Sequence, residues 1–435
     1  MITTALVKIW GKLVGAVAWD PEEKLARFEY DSKFISLDWD LSPLKMPLSN
    51  GPIIYSFPKL RAPRVDAYDT FKGLPGLLAD MLPDKYGNQL INIWLAQQGR
   101  PADSMNPVEQ LCFIGSRGMG ALEFEPSELK TAKRSYTIEV DSLVEMSKKM
   151  LFKRENFQTN LSADEEKSIV DILKIGTSAG GARPKAVIAY NQKTGDVRSG
   201  QTISPKGYEH WLLKLDGVSD EQLGSTSGYG RVEMAYYLMA KDCGIEMMES
   251  SLLEENGRAH FMTKRFDREG GKTKHHIQTW CAINHYDFND ITSYSYEQLF
   301  QTMRALGLHY IEAEQMFRRM VFNVLARNCD DHTKNFAFML EQGKEWKLSP
   351  AYDICHAYRP GSYWVSQHTL SINGKRENIT QDDLLTIAQS MNIKKAKGII
   401  QEINMIVSRW YDYADQVDVE RKKKEAIATT LISYK

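Results

Sequence analysis

The stretch at 327–336, "RNCDDHTKNF", sets two adjacent aspartates, a histidine, a lysine and two asparagines inside an apolar run, "MVFNVLARNCDDHTKNFAFML" (320–340). Both flanks read as packed core, and desolvating so many polar groups is costly unless they bind one another, a metal or a ligand. Phosphoryl transfer needs such a cluster: a carboxylate that accepts a hydroxyl proton, and oxygen ligands that hold Mg²⁺ against nucleotide phosphates. Asp-x-x-x-x-Asn followed by a second Asp after a short hairpin meets that need, and Asp330 to Asn335 has this spacing. The chain then runs through "FAFMLEQGKEWKLSPAYD" (336–353), a strand, a glycine turn and a second strand ending at Asp353. Counted from Asp331 the spacing is one residue short. Asp330 is therefore the candidate base, with Asn335 and Asp353 as candidate metal ligands. A zinc site from Cys329, Asp331 and His332 is disfavoured, because adjacent loop residues do not converge easily on one tetrahedral ion.

Two other segments carry chemistry. "GTSAGGARPK" (176–185) is a glycine-rich turn just before a strand, where free backbone N–H groups could cradle phosphates. Its spacing fits neither the Walker A pattern nor GxGxxG, so a plain tight turn is an equal reading. "HWLLKLDG" (210–217) reads as a strand with Trp211, Leu213 and Leu215 on one face and Leu212 and Lys214 on the other. A lysine between leucines calls for an anionic partner if buried; an edge-strand lysine pointing at solvent is the favoured reading from the segment alone.

The whole chain sets the frame. Its 435 residues suffice for two or three domains, and 43% apolar with 26% charged residues is ordinary for a globular protein. With 55 basic and 56 acidic residues there is no global field to draw nucleic acid. The scattered cysteines 112, 243, 281, 329 and 355 lack CxxC spacing, which argues against a disulfide framework and suits a reducing compartment. Lys8 and Lys12 interrupt the start where a signal peptide would be apolar, and no run reaches the ~20 residues of a membrane span. The expectation is a soluble, cytoplasmic protein.

Residues 6–31 alternate around a "DPEEK" turn, as antiparallel strands do. A helix is expected after Pro83-Asp84, ending at Gly99. A linker-like piece near 125–135 precedes two charged helices, "EVDSLVEMSKKMLFKRENF" (139–157) and "SADEEKSIVDILKI" (162–175), the latter with a Ser162–Glu165 capping box. A strand over Lys185–Tyr190, a helix over 230–243 and a strand in "GRAHFMTKRFDREGG" (257–271) follow. Beyond about 275 the chain reads as mostly helical. Strands and helices are segregated, which predicts an α+β fold.

With these pieces in order, the chain resembles the HipA family of serine/threonine kinases, the toxin half of HipA/HipB pairs. "GLLADMLPDKYGNQLI" matches an N-terminal segment of the family, and "TSAGGARPKA", "LLKLD", "KRFDR", "NCDDHTKNF" and "LSPAYD" match the kinase part in order. The resemblance implies a protein-kinase-like bilobal fold, with a β-rich small lobe and an all-α large lobe, plus a β-rich N-terminal module. It divides the chain into 1–130, 131–270 and 271–435.

Carried over residue by residue, it implies ATP and Mg²⁺ as cofactors and Asp330 as catalytic base. Gly180, Gly181, Ala182, Arg183, Pro184 and Lys185 would cover the nucleotide phosphates, and Lys214 would grip them, with Glu233 as its acidic partner. Lys264, Arg265 and Phe266 would lie beside adenine, using mainly backbone contacts. His332, Lys334, Asn335, Tyr352 and Asp353 would line the phosphate and metal site. Ser178, with Thr177 beside it, would be the autophosphorylated residue of the glycine loop.

The implied partners are a small helix-turn-helix antitoxin, operator DNA through it, and a protein substrate such as an aminoacyl-tRNA synthetase. A small-molecule phosphotransferase and a non-catalytic corepressor of the antitoxin are the alternatives. Asp331 departs from the glycine common at that position; it is expected either to raise the pKa of Asp330 by like-charge repulsion or to turn outward to solvent.

Overall fold

The structure is a computed structural model that describes residues 2–61, 70–127, 137–152, 176, 183–201, 203–218 and 227–434. The alternation at the start builds three antiparallel strands, β1 (Thr4–Ile9), β2 (Lys12–Asp20) and β3 (Leu25–Tyr30). A turn at Trp10-Gly11, both with positive φ, adds one more strand than the "DPEEK" turn alone suggested. Ala5, Val7 and Ile9 point inward while Thr4 and Leu6 stay exposed, the period-two pattern of a half-buried sheet. With β4 (Ile54–Tyr55) and β5 (Leu122–Glu125) the sheet order is β4-β3-β2-β1-β5. Helix α1 (Lys85–Gln97) starts where expected, with Asp84 as N-cap accepting from the Gly87 N–H at 2.7 Å, and α2 (Pro107–Ile114) follows.

After α3 (Val140–Phe152), a second five-stranded antiparallel sheet forms from β6 (Lys185–Tyr190), β7 (Val197–Ser199), β8 (Glu209–Lys214), β9 (Ser250–Glu255) and β10 (Arg258–Lys264). Its order is β7-β6-β8-β10-β9, so β8 is central. That corrects the edge-strand reading of Lys214: both neighbours take β8's ladder bonds, and the lysine is held inside the molecule. Helix α4 (Tyr229–Asp242) packs on this sheet at Gly230, where an added Cβ would meet the Ala259 carbonyl oxygen at 2.0 Å.

The C-terminal part holds α5 (Tyr296–Ala305), α6 (Tyr310–Leu325), α7 (Gln381–Met391), α8 (Ala396–Ser408), α9 (Trp410–Gln416) and α10 (Arg421–Ala428). It is not all-α. A three-stranded sheet, β11 (His276–Thr279), β12 (Ala337–Leu340) and β13 (Trp346–Leu348), carries the hairpin expected between Asn335 and Asp353. The fold is α+β and bilobal, with the additional N-terminal sheet. The 125–135 linker falls largely outside the described residues, and the 162–175 helix with its capping box wholly so.

Among the described residues, three apolar cores hold the molecule together. One lies under the N-terminal sheet and takes in Cys281 and Leu340 from the C-terminal part. A second joins Tyr86, Leu90, Ile91, Leu95 and Phe113 to Trp211, Leu213 and Met262 of the middle sheet. The third fills the C-terminal lobe around Phe317, Met320, Phe322 and Trp410. No helix among the described residues is long and apolar enough to cross a membrane.

Candidate active site

The polar loop at 327–336 leaves the end of α6 at Arg327, which has φ +56, and enters β12. Its two aspartates point in opposite directions. The Asp330 side chain is 48% exposed, and its Oδ1 lies 3.8 Å from His332 Nε2. Asp331 is fully buried and turns inward, contrary to the expectation that it faces solvent. Its Oδ2 accepts from the Tyr296 hydroxyl and from His368 Nδ1, each at 2.9 Å, and its Oδ1 accepts from the Thr369 N–H at 2.8 Å. Burial alone would lower the His368 pKa. The charge and hydrogen bond of Asp331, with Cys329 adding, outweigh burial and raise it to about 10. Asp331 thus anchors the loop from below while Asp330 faces out.

Asn335 closes the loop by donating from Nδ2 to the Asp330 carbonyl at 2.7 Å, which turns its amide oxygen away from that contact. The backbone N–H of Lys334 donates to His332 Nδ1 at 3.2 Å, and the Lys334 ammonium lies 4.4 Å from the centroid of the Phe288 ring. Tyr352 donates to the Lys334 carbonyl at 2.7 Å and stacks on Phe266 with 5.9 Å between centroids. Asp353 sits at φ +53, a left-handed conformation that costs free energy and is over-represented at functional sites.

Lys214, the last residue of β8, bonds both the Glu233 carboxylate of α4, at 2.5 Å, and Asp353. Burial would lower the lysine's pKa, but these two carboxylates raise it. Burial would raise Asp353; Lys214 and Lys185 hold it down at about 2, so it is ionised at neutral pH. Lys185 opens β6 directly opposite Lys214 in the strand register and is buried. Arg183 rests over the Tyr229 ring at 4.6 Å, and the Pro184 carbonyl accepts from the Leu215 N–H at 3.0 Å.

At the far end of β10 the side chains are already engaged. Lys264 pairs with Glu209. Arg265 and Arg268 both grip Asp267, which is fully buried, and Arg268 also donates to the carbonyls of Gly118 and Gly120 at 2.9 Å. The two arginines tie the segment to the N-terminal module, and the N–H groups of Lys264 and Arg265 donate to the carbonyls of Glu249 and His210, each at 2.9 Å. Ser178, Thr177, Gly180, Gly181 and Ala182 lie outside the described residues.

Sequence reasoning missed the inner shell. Asp80 accepts from both the Thr279 N–H (2.6 Å) and hydroxyl (2.8 Å), tying the N-terminal module to β11. Asp84 comes within 3.9 Å of the Lys185 ammonium. Both belong to "LLADMLPDKYGN", a stretch whose acidic residues around a helix start were the available signal. His368 lies 37 residues beyond Asp331 and gave none.

The donor set fits the group implied for it. The Asn335 amide oxygen and the Asp353 carboxylate are hard oxygen donors of the kind Mg²⁺ takes, both line one small cavity, and Lys214 and Lys185 act on Asp353.

A kinase-like bilobal fold with this constellation, joined across the lobes by Lys214 and Asp353, defines the class. The HipA-like C-terminal domain matches residues 177–410 and the HipA N-terminal domain residues 5–125, and the chain belongs to the HipA family. A putative kinase, Y4dM, of Sinorhizobium fredii is 26% identical over 272 residues, 57% of this chain and 62% of that protein. A putative kinase of Haemophilus influenzae is 30% identical over 135 residues, 28% of this chain and 39% of that protein. The matches therefore span less than two thirds of either relative's length. Among solved structures, a chain of the Shewanella oneidensis MR-1 complex of HipA, HipB and operator DNA superposes with a TM-score of 0.68. That match is at 14% identity and covers 98% of this chain and 94% of that one, a likeness of fold.

Proposed function

We propose that this protein is an ATP- and Mg²⁺-dependent serine/threonine protein kinase acting as a toxin. The observation that carries the reading is the opposed pair Asp330–Asp331: one carboxylate faces out beside Asn335 and His332, while the other is wholly used in holding the loop. Mg²⁺, when bound, would supply positive charge that offsets the nucleotide's phosphates. Asn335 and Asp353 would hold it, and Lys214, braced by Glu233, would hold the phosphates. Asp330 would accept the proton of a serine or threonine hydroxyl as its oxygen bonds to the γ-phosphorus. The bond from that phosphorus to the bridging oxygen then breaks, releasing ADP. Phe266 and the backbone near Lys264 and Arg265 would border the base, with Arg183, Pro184 and Lys185 of the glycine loop over the phosphates and His332, Lys334 and Tyr352 around them.

Within the same reading, Ser178 is the autophosphorylated residue and the working division of the chain is 1–130, 131–270 and 271–435. The protein acts in the cytoplasm, an aminoacyl-tRNA synthetase is a candidate substrate, and a small helix-turn-helix antitoxin is the partner. The solved HipA–HipB–operator complex, matched across the fold, also favours a second reading: a corepressor that binds the antitoxin without catalysis. One experiment separates them. Purified protein is incubated with labelled ATP and Mg²⁺ and its phosphosites are mapped by mass spectrometry; labelled phosphoserine that disappears in Asp330→Ala is expected. Absence of both nucleotide binding and phosphoserine would sink the kinase reading and leave the corepressor.

A further inference from the structure

Asp84 has two duties that a simple helix cap does not need. Its Oδ1 accepts from the Gly87 N–H at 2.7 Å and caps α1. Its Oδ2 is buried without a hydrogen-bond partner and lies 3.9 Å from the ammonium of Lys185, itself 3% exposed. An asparagine or serine would cap the helix equally well without burying a charge. The charge has a cost: burial, against the opposing pull of Lys185, the Gly87 N–H and Lys334, pushes the Asp84 pKa up to about 6. Something must offset it.

The neighbours supply the reason. Lys185 and Lys214 stand directly opposite each other on adjacent strands, an arrangement of like charges that is unfavourable by itself. Lys214 already holds Glu233 and Asp353, and Asp353 also acts on Lys185. Asp84 gives Lys185 a carboxylate besides Asp353. The segment carrying Asp84 is fixed independently, since Asp80 is locked to Thr279 of β11. It links β11 of the C-terminal lobe to Lys185 at the start of β6.

We propose that Asp84 is a positioning residue of the nucleotide site: a carboxylate of the N-terminal module sets the Lys185 ammonium against the phosphates and leaves Asp353 to the metal. The inference rests on the reading of the cleft given above. It makes the N-terminal module a working part of that cleft.

The test is binding of a fluorescent ATP analogue with Mg²⁺ to the full-length protein, wild type against Asp84→Asn, Lys185→Met and the double variant, with Tm for each. Asp31→Asn, which alters an N-cap Asp elsewhere in the module, is the control and should match wild type. Asp84→Asn keeps the cap and removes a charge whose folded pKa is raised, so Tm at pH 7 should be equal or higher. Its Kd should rise by roughly tenfold, the scale of one charge pair at partial screening. In the Lys185→Met background the same change should add nothing. Asp84→Asn binding within about twofold of wild type, a parallel fall in Tm and affinity, or additivity with Lys185→Met would each overturn the inference. A wild-type protein that binds no nucleotide would instead overturn the reading of the cleft, and this inference with it.

Discussion

Neighbouring aspartates of identical chemistry are separated here by their surroundings alone. Asp330 is half exposed; Asp331 has spent both carboxylate oxygens on Tyr296, His368 and the Thr369 N–H. Asp330→Ala should therefore lower phosphoryl transfer by about 10²-fold or more while leaving the melting curve in place, as loss of a general base does. Asp331→Ala should instead strand a buried imidazolium and cost about 3–5 kcal/mol of stability, read as a fall in Tm. Equal melting curves for the two would sink the distinction. The same pair predicts a pH dependence. The folded pKa of His368, about 10, lies above its ordinary value, so this contribution is complete below about pH 6.5 and is lost as pH rises toward 10. The stability difference between wild type and His368→Gln should shrink by about 1.4 kcal/mol per pH unit across that window, measured by urea unfolding. Spacing to Asn335 singled out Asp330 in the sequence, and Asn335 donates to the Asp330 carbonyl. The inward turn of Asp331 was not, because its partners arrive from α5 and from a loop nearly forty residues on, which no local pattern encodes.

At the scale of elements, the short apolar strands and the capped helix at 85 could be read directly, since period and cap are local. The order of strands could not. Lys214 read as an edge lysine because β8 is short and polar-flanked; only its pairing with β6 and β10 makes it central. β11 went unread for the same reason, being four residues opening on His276 that become a strand by pairing with β12 about sixty residues later. The position of α4 depends on one close approach. Gly230 lets the helix lie against the Ala259 carbonyl, and this sets Glu233 against Lys214. Gly230→Ala should push α4 outward and cost about 1–3 kcal/mol, as overpacking does. It should also weaken nucleotide binding more than Gly398→Ala, a glycine on α8 whose added methyl meets nothing within 4 Å. Equal effects of the two would show that the close approach does not set the site.

At the scale of the molecule, the sequence reads as three consecutive pieces, yet the cores do not respect those divisions. Trp211 and Leu213, under the middle sheet, are covered by Tyr86, Leu90 and Phe113 from the N-terminal module. Cys281 and Leu340 of the C-terminal part lie in the core under the first sheet. Polar ties follow the same routes: Asp80 to Thr279, and Arg268 to the carbonyls of Gly118 and Gly120. A chain whose pieces share their apolar cores has no interface along which one can melt alone, since removing any one exposes the others' interior to water. The full-length protein should therefore unfold in a single calorimetric transition, with equal calorimetric and van't Hoff enthalpies and coincident circular-dichroism and tryptophan signals. A fragment starting at residue 137 should be unfolded or aggregated, because it carries Trp211 without its cover. Two resolved transitions, or a well-folded fragment that binds nucleotide, would mean that the N-terminal module is an appendage and that Asp84 reaches a cleft that stands without it.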